Sequence, residues 1–300
     1  MSNLWLVRDL ACNRMAVMKT ASEDLRDDPQ GNDRFRAENR ILARLSHPNI
    51  VQLYGVFLFA ERRAMIMELI DGVTLADYRK GSALPLQEAA RITLELLSAL
   101  SYAHGEGVTH RDMKPTNVMI TKDGRVKLVD FGISKCALEP DMTYPGTTMG
   151  SAYYMSPEQI LGMKVDSRCD LYSVGIMLYE MLTGERPFRS ETGYGVMEQH
   201  LKSKPEAPSK VNPNVPKKVS QLVLKAISKR PDERFQSADE FAAELRKVCG
   251  SPKPAAQMAL VRYQAPRRDV VVRIRVRYPQ WMAWLWRISK RVHWFQIVNI

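Results

Sequence analysis

Short apolar runs bounded by polar residues dominate the first seventy positions of the chain. Four of these runs predict β-strands: Leu4–Val7, Met15–Lys19, Val51–Val56 and Ala64–Ile70. Between the second and third runs, Phe35, Ile41, Leu42 and Leu45 share one face at helical spacing. The pattern therefore predicts a small N-terminal sheet accompanied by one helix.

Helical periodicity replaces this pattern further along the chain. Apolar residues recur at steps of three and four at Ala89, Ile92, Leu96, Leu97, Leu100 and Ala103. A second apolar helix is predicted from Asp170 to Gly184, and the runs Val118–Ile120 and Val126–Val129 predict a hairpin around a Lys-Asp-Gly turn. The chain is thus predicted to be α+β, with a larger, mostly helical second part.

Positive charge is concentrated at the C-terminal end. The 300 residues include 44 Lys and Arg against 33 Asp and Glu, for a net charge of +11. Residues 262–300 contain nine basic side chains and one acidic one, so they carry +8 and the rest of the chain carries +3. Because Gly250–Pro254 is typical of a linker, we predict a linker over 248–261 and a separate basic tail over 262–300.

The basic tail also holds four of the five tryptophans. Val270–Arg277 alternates like a strand, and the apolar residues between Trp281 and Phe295 fall on one face of a predicted helix, largely opposite to Arg287, Lys290 and Arg291. Such a segment is typical of binding to an anionic membrane surface. Single-stranded nucleic acid is a less favoured partner, and packing of the strand and helix on the rest of the chain is the third alternative.

Cysteine spacing and hydropathy indicate the compartment. The four cysteines show neither Cys-x-x-Cys nor Cys/His ligand spacing, which argues against zinc and against a disulfide framework. No signal peptide and no run of about eighteen apolar residues is present in this sequence. We therefore expect a cytoplasmic protein, held at the inner face of the membrane if the tail binds there.

The candidate chemistry lies between His110 and Asn117, which read His-Arg-Asp-Met-Lys-Pro-Thr-Asn. This loop supplies a carboxylate, a lysine and an amide, and Asp130-Phe131-Gly132 follows the predicted hairpin. Phosphoryl transfer needs an oriented hydroxyl, a cation beside the transferred oxygens, and oxygen ligands for Mg²⁺. Either motif alone could be an ordinary polar turn, but the two together at this separation favour an active site.

The two motifs resemble those of the bacterial eukaryotic-like serine/threonine protein kinases, and the resemblance extends over about residues 1–247. It implies a two-lobed kinase fold, with an N-lobe over about 1–70 and a C-lobe over about 71–247. It also implies ATP and Mg²⁺ as cofactors and protein substrates. In that family Asp112 would orient the substrate hydroxyl, Lys114 would offset charge on the phosphoryl group, and Asn117 and Asp130 would hold Mg²⁺.

The same resemblance assigns nucleotide contacts in the N-terminal part. Lys19 would contact the α- and β-phosphates, and Glu38 would hold it as an ion pair. Met67 would line the adenine pocket, while the backbone of Glu68 and Ile70 would hydrogen-bond the base. From the pattern alone, Lys19 could equally end a solvated strand and Met67 could be ordinary core.

Further residues match the family in its second part. Gly150–Glu158 is similar to the segment that contacts protein substrates, with Ser151 where the family usually has threonine. The resemblance implies that Glu158 pairs with Arg234 and that Asp170 supports the catalytic-loop backbone.

Regulation is implied by the arginine beside the catalytic aspartate. In the family this residue, Arg111, pairs with a phosphate on the activation segment. The candidate phosphorylation sites are Thr143, Thr147 and Thr148.

One family feature is missing. No Gly-x-Gly-x-x-Gly loop, whose backbone amides cover the nucleotide phosphates, precedes Leu4. A misplaced start codon and a truncated gene are both compatible with this. We predict a protein serine/threonine kinase, for which Lys114 is specific evidence; a catalytically weak kinase-fold scaffold is the alternative, and a small-molecule kinase is disfavoured by the Gly150–Glu158 segment.

Overall fold

The computed structural model describes residues 2–10, 12–21, 41–59, 62–131, 149–250, 272–274 and 295–298. These residues fall into two compact units. The sheet unit comprises the described residues of 1–46, 51–70 and 260–300, and the helical unit comprises those of 47–50 and 71–259.

Nine strands and nine α-helices lie wholly within the described residues, and residues 41–42 are also helical. The strands are β1 (Ser2–Asp9), β2 (Arg14–Ala21), β3 (Leu53–Phe59), β4 (Arg62–Glu68), β5 (Gly72–Thr74), β6 (Val118–Thr121), β7 (Val126–Leu128), β8 (Val272–Ile274) and β9 (Phe295–Val298). The helices are α1 (Leu75–Arg79), α2 (Leu86–Gly105), α3 (Met149–Ala152), α4 (Pro157–Ile160), α5 (Arg168–Thr183), α6 (Gly193–Lys202), α7 (Pro208–Val211), α8 (Lys217–Ala226) and α9 (Ala238–Cys249).

The sheet unit is an antiparallel sheet in the order β3-β4-β2-β1-β9-β8. The predicted hairpin of β1 and β2 is confirmed, and its turn is closed by the Asp9 carboxylate, which accepts hydrogen bonds from Cys12 N at 3.1 Å and Arg14 Nε at 3.2 Å. Alternate side chains of β1, β2 and β4 form the core of this sheet: Val7, Ala16, Met18, Ala64 and Ile66.

The two later strands of this sheet differ from their predicted bounds. We predicted strands over Val51–Val56 and Ala64–Ile70, whereas β3 begins at Leu53 and β4 ends at Glu68. At this end of the pair, Glu68 N donates to Gln52 O at 2.9 Å and the Glu68 carboxylate accepts from Gln52 N at 3.2 Å. The side chain therefore replaces a ladder partner, and the strand stops three residues before Asp71.

The end of the basic tail forms a strand, so the predicted placement of Phe295 on a helix is wrong. β9 pairs with β1 in the register Leu6 with Val298 and Asp9 with Phe295, and β8 pairs with β9. Without β9, β1 would be the edge strand of this sheet and would expose unpaired backbone groups, and a Phe-Gln-Ile-Val sequence suits a strand at such an edge. The strand predicted over 270–277 is present at Val272–Ile274; residues 281–294 lie outside the described part.

Two predicted helices form the interior of the helical unit. α2 contains all six periodic residues from Ala89 to Ala103, and each of them is fully buried. α5 is buried on nearly every side, as a helix at the centre of a core must be, and it ends at Gly184 in the left-handed conformation (φ 79°). Helices α8 and α9 bury apolar faces around this centre.

A small antiparallel sheet, ordered β5-β6-β7, supports the candidate site. The predicted hairpin is confirmed as β6 and β7, with Gly124 at a positive φ of 79° in its turn. β5 approaches β6 so closely that a Cβ on Gly72 would lie 2.2 Å from the Ile120 carbonyl oxygen, which only glycine avoids. Within the described residues, no helix has the length and apolar character required to cross a membrane.

Candidate active site

The catalytic loop is fixed by a carboxylate at the start of the central helix. Asp170 of α5 accepts hydrogen bonds from His110 N at 2.9 Å and Arg111 N at 2.8 Å, the contact that the resemblance implies, and His104 Nε2 lies 2.8 Å from Oδ2. Burial alone would raise the pKa of Asp170, but the hydrogen bond and charge of His104, together with His110, hold that pKa below its ordinary value. The carboxylate therefore stays ionised and orients two consecutive backbone amides.

Arg111 has a left-handed backbone, with φ at 64°. This conformation is costly for a residue with a side chain, so it needs support from its surroundings. The support is visible on both sides of the residue, because its N–H donates to Asp170 and its carbonyl accepts from Gln159 Nε2 at 2.9 Å. The loop therefore turns sharply at Arg111, immediately before Asp112.

Asp112, Lys114 and Asn117 converge as the loop motif predicts. Lys114 Nζ lies 2.7 Å from Asp112 Oδ2 and donates to Ser151 Oγ at 3.1 Å. Asn117 Nδ2 donates to the Asp112 carbonyl at 2.9 Å and lies 3.3 Å from Asp112 Oδ2. The ammonium of Lys114 thus joins the catalytic loop to the predicted substrate segment, while Asn117 fixes the backbone beneath the carboxylate.

The hairpin brings the second motif beside the first. Val129 N donates to Asn117 O at 2.9 Å, which places Asp130 next to the catalytic loop. Asp130 also has a left-handed backbone conformation, with φ at 52°, and its side chain is exposed. Asn117 and Asp130 offer an amide and a carboxylate oxygen, a donor set that suits Mg²⁺ when phosphate oxygens and water complete its coordination.

The packing beneath these motifs is aromatic. The rings of His110 and Phe131 have centroids 4.7 Å apart, and His110 Nε2 lies 3.3 Å from the Val129 carbonyl oxygen. Burial lowers the pKa of His110, so its ring is neutral and serves as a packing element. Gly132 lies outside the described residues.

The predicted nucleotide residues belong to the sheet unit. Lys19 lies in β2, two residues before its end, opposite Leu4 on one side and Met65 on the other, and it is 9% exposed. Met67 is buried in β4. These positions agree with a strand lysine and a core methionine, and the functional assignments of Lys19, Met67, Glu68 and Ile70 stay predictions.

Several predicted residues lie outside the described part of the chain. They are Glu38 and the threonines Thr143, Thr147 and Thr148. The partner assigned to Lys19 and the phosphorylation sites assigned to Arg111 therefore stay predictions as well.

Glu158 and Arg234 form a buried pair with two contacts. Arg234 Nη1 and Nη2 each lie 2.8 Å from one carboxylate oxygen of Glu158, and the exposed fractions of the two side chains are 0% and 7%. This is the pairing that the resemblance implies, and it anchors α4 in the helical unit.

A second buried cluster was not predicted. Glu180 accepts hydrogen bonds from Arg79 Nη2 at 3.0 Å, Arg186 Nε at 3.2 Å and the Tyr154 hydroxyl at 2.6 Å. Glu180 lies within the predicted apolar helix, so the one sign of this cluster in the sequence was a charged residue inside an apolar run. Its partner Arg79 lies 101 positions earlier, and no local pattern connects the two.

The chain is similar in sequence to known protein kinases. The family described as protein kinase domain matches residues 2–245. A probable serine/threonine-protein kinase of Streptomyces coelicolor is 38% identical over 266 residues, which cover 86% of this chain and 39% of that protein. Serine/threonine-protein kinase PknB of Mycobacterium leprae is 38% identical over 267 residues, covering 87% of this chain and 43% of PknB. The chain therefore spans about two fifths of the length of these curated relatives.

Solved structures show the same similarity. The kinase domain of Mycobacterium tuberculosis PknI matches with a TM-score of 0.66 and 28% identity, covering 83% of this chain and 91% of that domain. The predicted α+β kinase fold is confirmed by this match.

Proposed function

The chain belongs to the protein kinase family, with bacterial serine/threonine kinases among its relatives, and on this premise we propose that it transfers the γ-phosphoryl group of ATP to serine or threonine hydroxyls of protein substrates. The observation that carries the proposal is the position of Lys114, 2.7 Å from Asp112 and 3.1 Å from Ser151. A cation beside the catalytic carboxylate and the substrate segment is what transfer to a peptide hydroxyl requires.

In the proposed reaction the substrate hydroxyl oxygen forms a bond to the γ-phosphorus while the bond to the β–γ bridging oxygen breaks, and ADP leaves with that electron pair. Asp112 orients the hydroxyl and accepts its proton. Lys114 offsets negative charge on the transferring group, which it can do because Asp112 and Ser151 hold its ammonium in place. Asp170 acts on the backbone, by holding the two amides before Asp112.

Asn117 and Asp130 would hold Mg²⁺, and the bound ion would neutralise charge on the β- and γ-phosphate oxygens. Lys19 of the sheet unit would contact the α- and β-phosphates. The hydrogen bond between Val129 N and Asn117 O supports this assignment, since it keeps the two predicted metal ligands on adjoining loops.

The test separates the two aspartates by their roles. Asp112→Asn is expected to lower kcat by at least about a hundredfold while leaving ATP affinity nearly unchanged, because Asp112 faces the hydroxyl. Asp130→Asn is expected to weaken Mg²⁺-dependent ATP binding. Transfer of radioactive phosphate to serine, threonine and tyrosine peptides, together with binding of a fluorescent ATP analogue, measures both effects.

Asp123→Asn provides the matched control, since Asp123 lies on the exposed β6–β7 turn and pairs with Arg125. It is expected to behave as wild type. Equal loss of ATP affinity in the Asp112 and Asp130 variants would contradict their separate roles. Wild-type protein that binds ATP but phosphorylates no peptide would instead favour the scaffold alternative.

We also propose control by phosphorylation near the site, with Arg111 pairing with a phosphate on Thr143, Thr147 or Thr148. The support is the resemblance and the fixed backbone of Arg111 beside Asp112. Mass spectrometry after incubation with ATP locates the phosphate. Unchanged activity of the triple alanine variant would contradict this control.

A peripheral location at an anionic membrane surface is the further part of the proposal. It is supported by the net charge of +8 and the four tryptophans in residues 262–300. The alternative is that the tail packs on the rest of the chain, and the pairing of β9 with β1 favours that alternative. Flotation with phosphatidylglycerol vesicles at low salt decides between them, since protein that stays in the soluble fraction contradicts membrane binding.

A further inference from the structure

A cavity of about 390 Å³ opens beside the catalytic loop, within the helical unit. Among its lining residues are Arg79 at the end of α1, Lys114 and Ser151 of the site, Tyr154, Glu180 of α5, and Arg186. Its volume falls within the range of ligand pockets. Because Lys114 lines it and contacts Asp112 at 2.7 Å, the cavity lies next to the carboxylate proposed to hold the acceptor hydroxyl.

The carboxylate in this cavity is already neutralised. Glu180 is 4% exposed, and its two oxygens together accept hydrogen bonds from Arg79, Arg186 and Tyr154. Arg79 Nη1 donates in addition to the Glu180 backbone carbonyl. A carboxylate so enclosed has little capacity left to attract a cationic substrate side chain.

Positive charge is left over in the cavity wall. Lys114 is matched by Asp112, and the single charge of Glu180 faces two guanidinium groups, Arg79 and Arg186, so one positive charge is unmatched. Arg186 uses Nε for Glu180, lies over the Tyr153 ring at 4.0 Å and has a side chain that is 37% exposed. Arg186 also shares a hydrogen bond with the Tyr154 side chain, and the exposed part of its guanidinium can donate to a further acceptor.

Arg79 gives an independent indication. It is buried, and its Nε donates to no residue in the part of the chain that the structure describes. A buried N–H group without an acceptor is unfavourable, so the wall around Glu180 has more donors than acceptors, although Nε itself is enclosed within the wall. An anion in the cavity, unlike a cation or an apolar group, would offset the unmatched positive charge and would accept from the exposed part of Arg186.

We propose that this cavity is a subsite that selects a substrate with an anionic side chain near the phosphoacceptor, with Arg186 as the specificity-determining residue. The inference rests on the proposed kinase function and adds the class of substrate. Carboxylate and phosphorylated side chains share the required chemistry, and the peptides distinguish them.

The experiment uses a threonine peptide with otherwise neutral residues. Glutamate, glutamine, arginine or phosphoserine is placed in turn at each position from about four before to four after the threonine, a span that brackets a cavity of this size. We expect one position at which glutamate or phosphoserine raises kcat/KM over glutamine by about fivefold, the size of a partly exposed ion pair, and at which arginine lowers it.

Arg186→Gln and Arg186→Glu test the residue, since Arg186 is the partly exposed member of the cluster. The preference, measured within each variant as the ratio of glutamate to glutamine peptide, is expected to vanish in Arg186→Gln and to turn in favour of the arginine peptide in Arg186→Glu. Arg189→Gln is the matched control, because Arg189 lies three residues later and pairs with exposed Glu185. It is expected to keep the wild-type ratio.

The outcomes separate this inference from the function on which it rests. Wild-type protein that phosphorylates the peptides with equal rates for glutamate and glutamine at every position would overturn the subsite and leave the kinase function standing. Absence of transfer to every peptide would overturn both. Loss of the preference in Arg189→Gln to the same extent as in Arg186→Gln would also overturn the role of Arg186.

Discussion

Replacing Arg234 by methionine is expected to destabilise the helical unit by about 4 kcal/mol. All five N–H donors of this guanidinium are engaged: two bind Glu158, and the others bind the carbonyl oxygens of Ser228, Arg168 and Lys229 at 2.8, 3.2 and 2.9 Å. Removing one partner of a buried ion pair costs about 3–5 kcal/mol, because the other charge is left uncompensated. Methionine restores much of the volume but none of the five hydrogen bonds.

Urea unfolding followed by far-ultraviolet circular dichroism measures this cost. Arg234→Lys is the graded control, since it keeps the charge but has only three donors, none in the planar fork that matches both oxygens of Glu158. Glu158→Gln in the Arg234→Met background is expected to recover part of the loss, because it removes the stranded charge. A cost below about 1 kcal/mol for Arg234→Met would refute the reasoning, since it would mean that Glu158 had found another partner or was never buried.

Two further predictions concern the interior of the helical unit. Burial lowers the pKa of His200 to about 3 from an ordinary 6.5, so between these values only the unfolded chain takes up the proton and stability falls as the pH falls. At pH 5 the free energy of unfolding is expected to be about 2 kcal/mol lower than at neutral pH because of this residue, and His200→Gln is expected to abolish that decrease. Equal pH dependence of unfolding in the wild-type and His200→Gln proteins would contradict this. In an exposed helix, replacing glycine by alanine raises stability by about 1 kcal/mol. Gly175→Ala is instead expected to lower the stability of the protein, because the added Cβ would lie 2.7 Å from Ile227 Cγ2 and 2.8 Å from Ala226 Cβ. A raised melting temperature would show that helix packing yields at this position.

The catalytic loop could be predicted from sequence because its chemistry is local. Asp112, Lys114 and Asn117 lie within six positions, so the spacing of the motif already limits how they can meet. The cluster of Glu180 and Arg79 could not be predicted in this way, since 101 residues separate the two side chains. The pair forms only when the folded chain brings the end of α1 beside Glu180 of α5. The charged Glu180 within an apolar run marks one member of the pair, but no local pattern identifies its partner.

The basic tail shows a second limit of prediction from sequence. Its apolar spacing up to Phe295 is compatible with a helix, yet β9 is a strand because the edge of β1 supplies backbone partners that the segment alone does not reveal. Short apolar segments are ambiguous in this respect, and a neighbouring sheet edge decides between the two conformations. The long, strongly periodic helix α2 had no comparable alternative.

The buried pair and the catalytic loop are connected through a single short helix. Arg234 holds Glu158 in α4, and the next residue, Gln159, donates to the carbonyl of Arg111 at 2.9 Å. Arg111 is in a left-handed conformation that it would not adopt unaided, and its other support is Asp170. The position of Asp112 therefore depends on two anchors in the helical core, one on the N–H and one on the carbonyl of Arg111. A charged pair that takes no part in the chemistry thus holds in place the backbone from which the catalytic carboxylate projects.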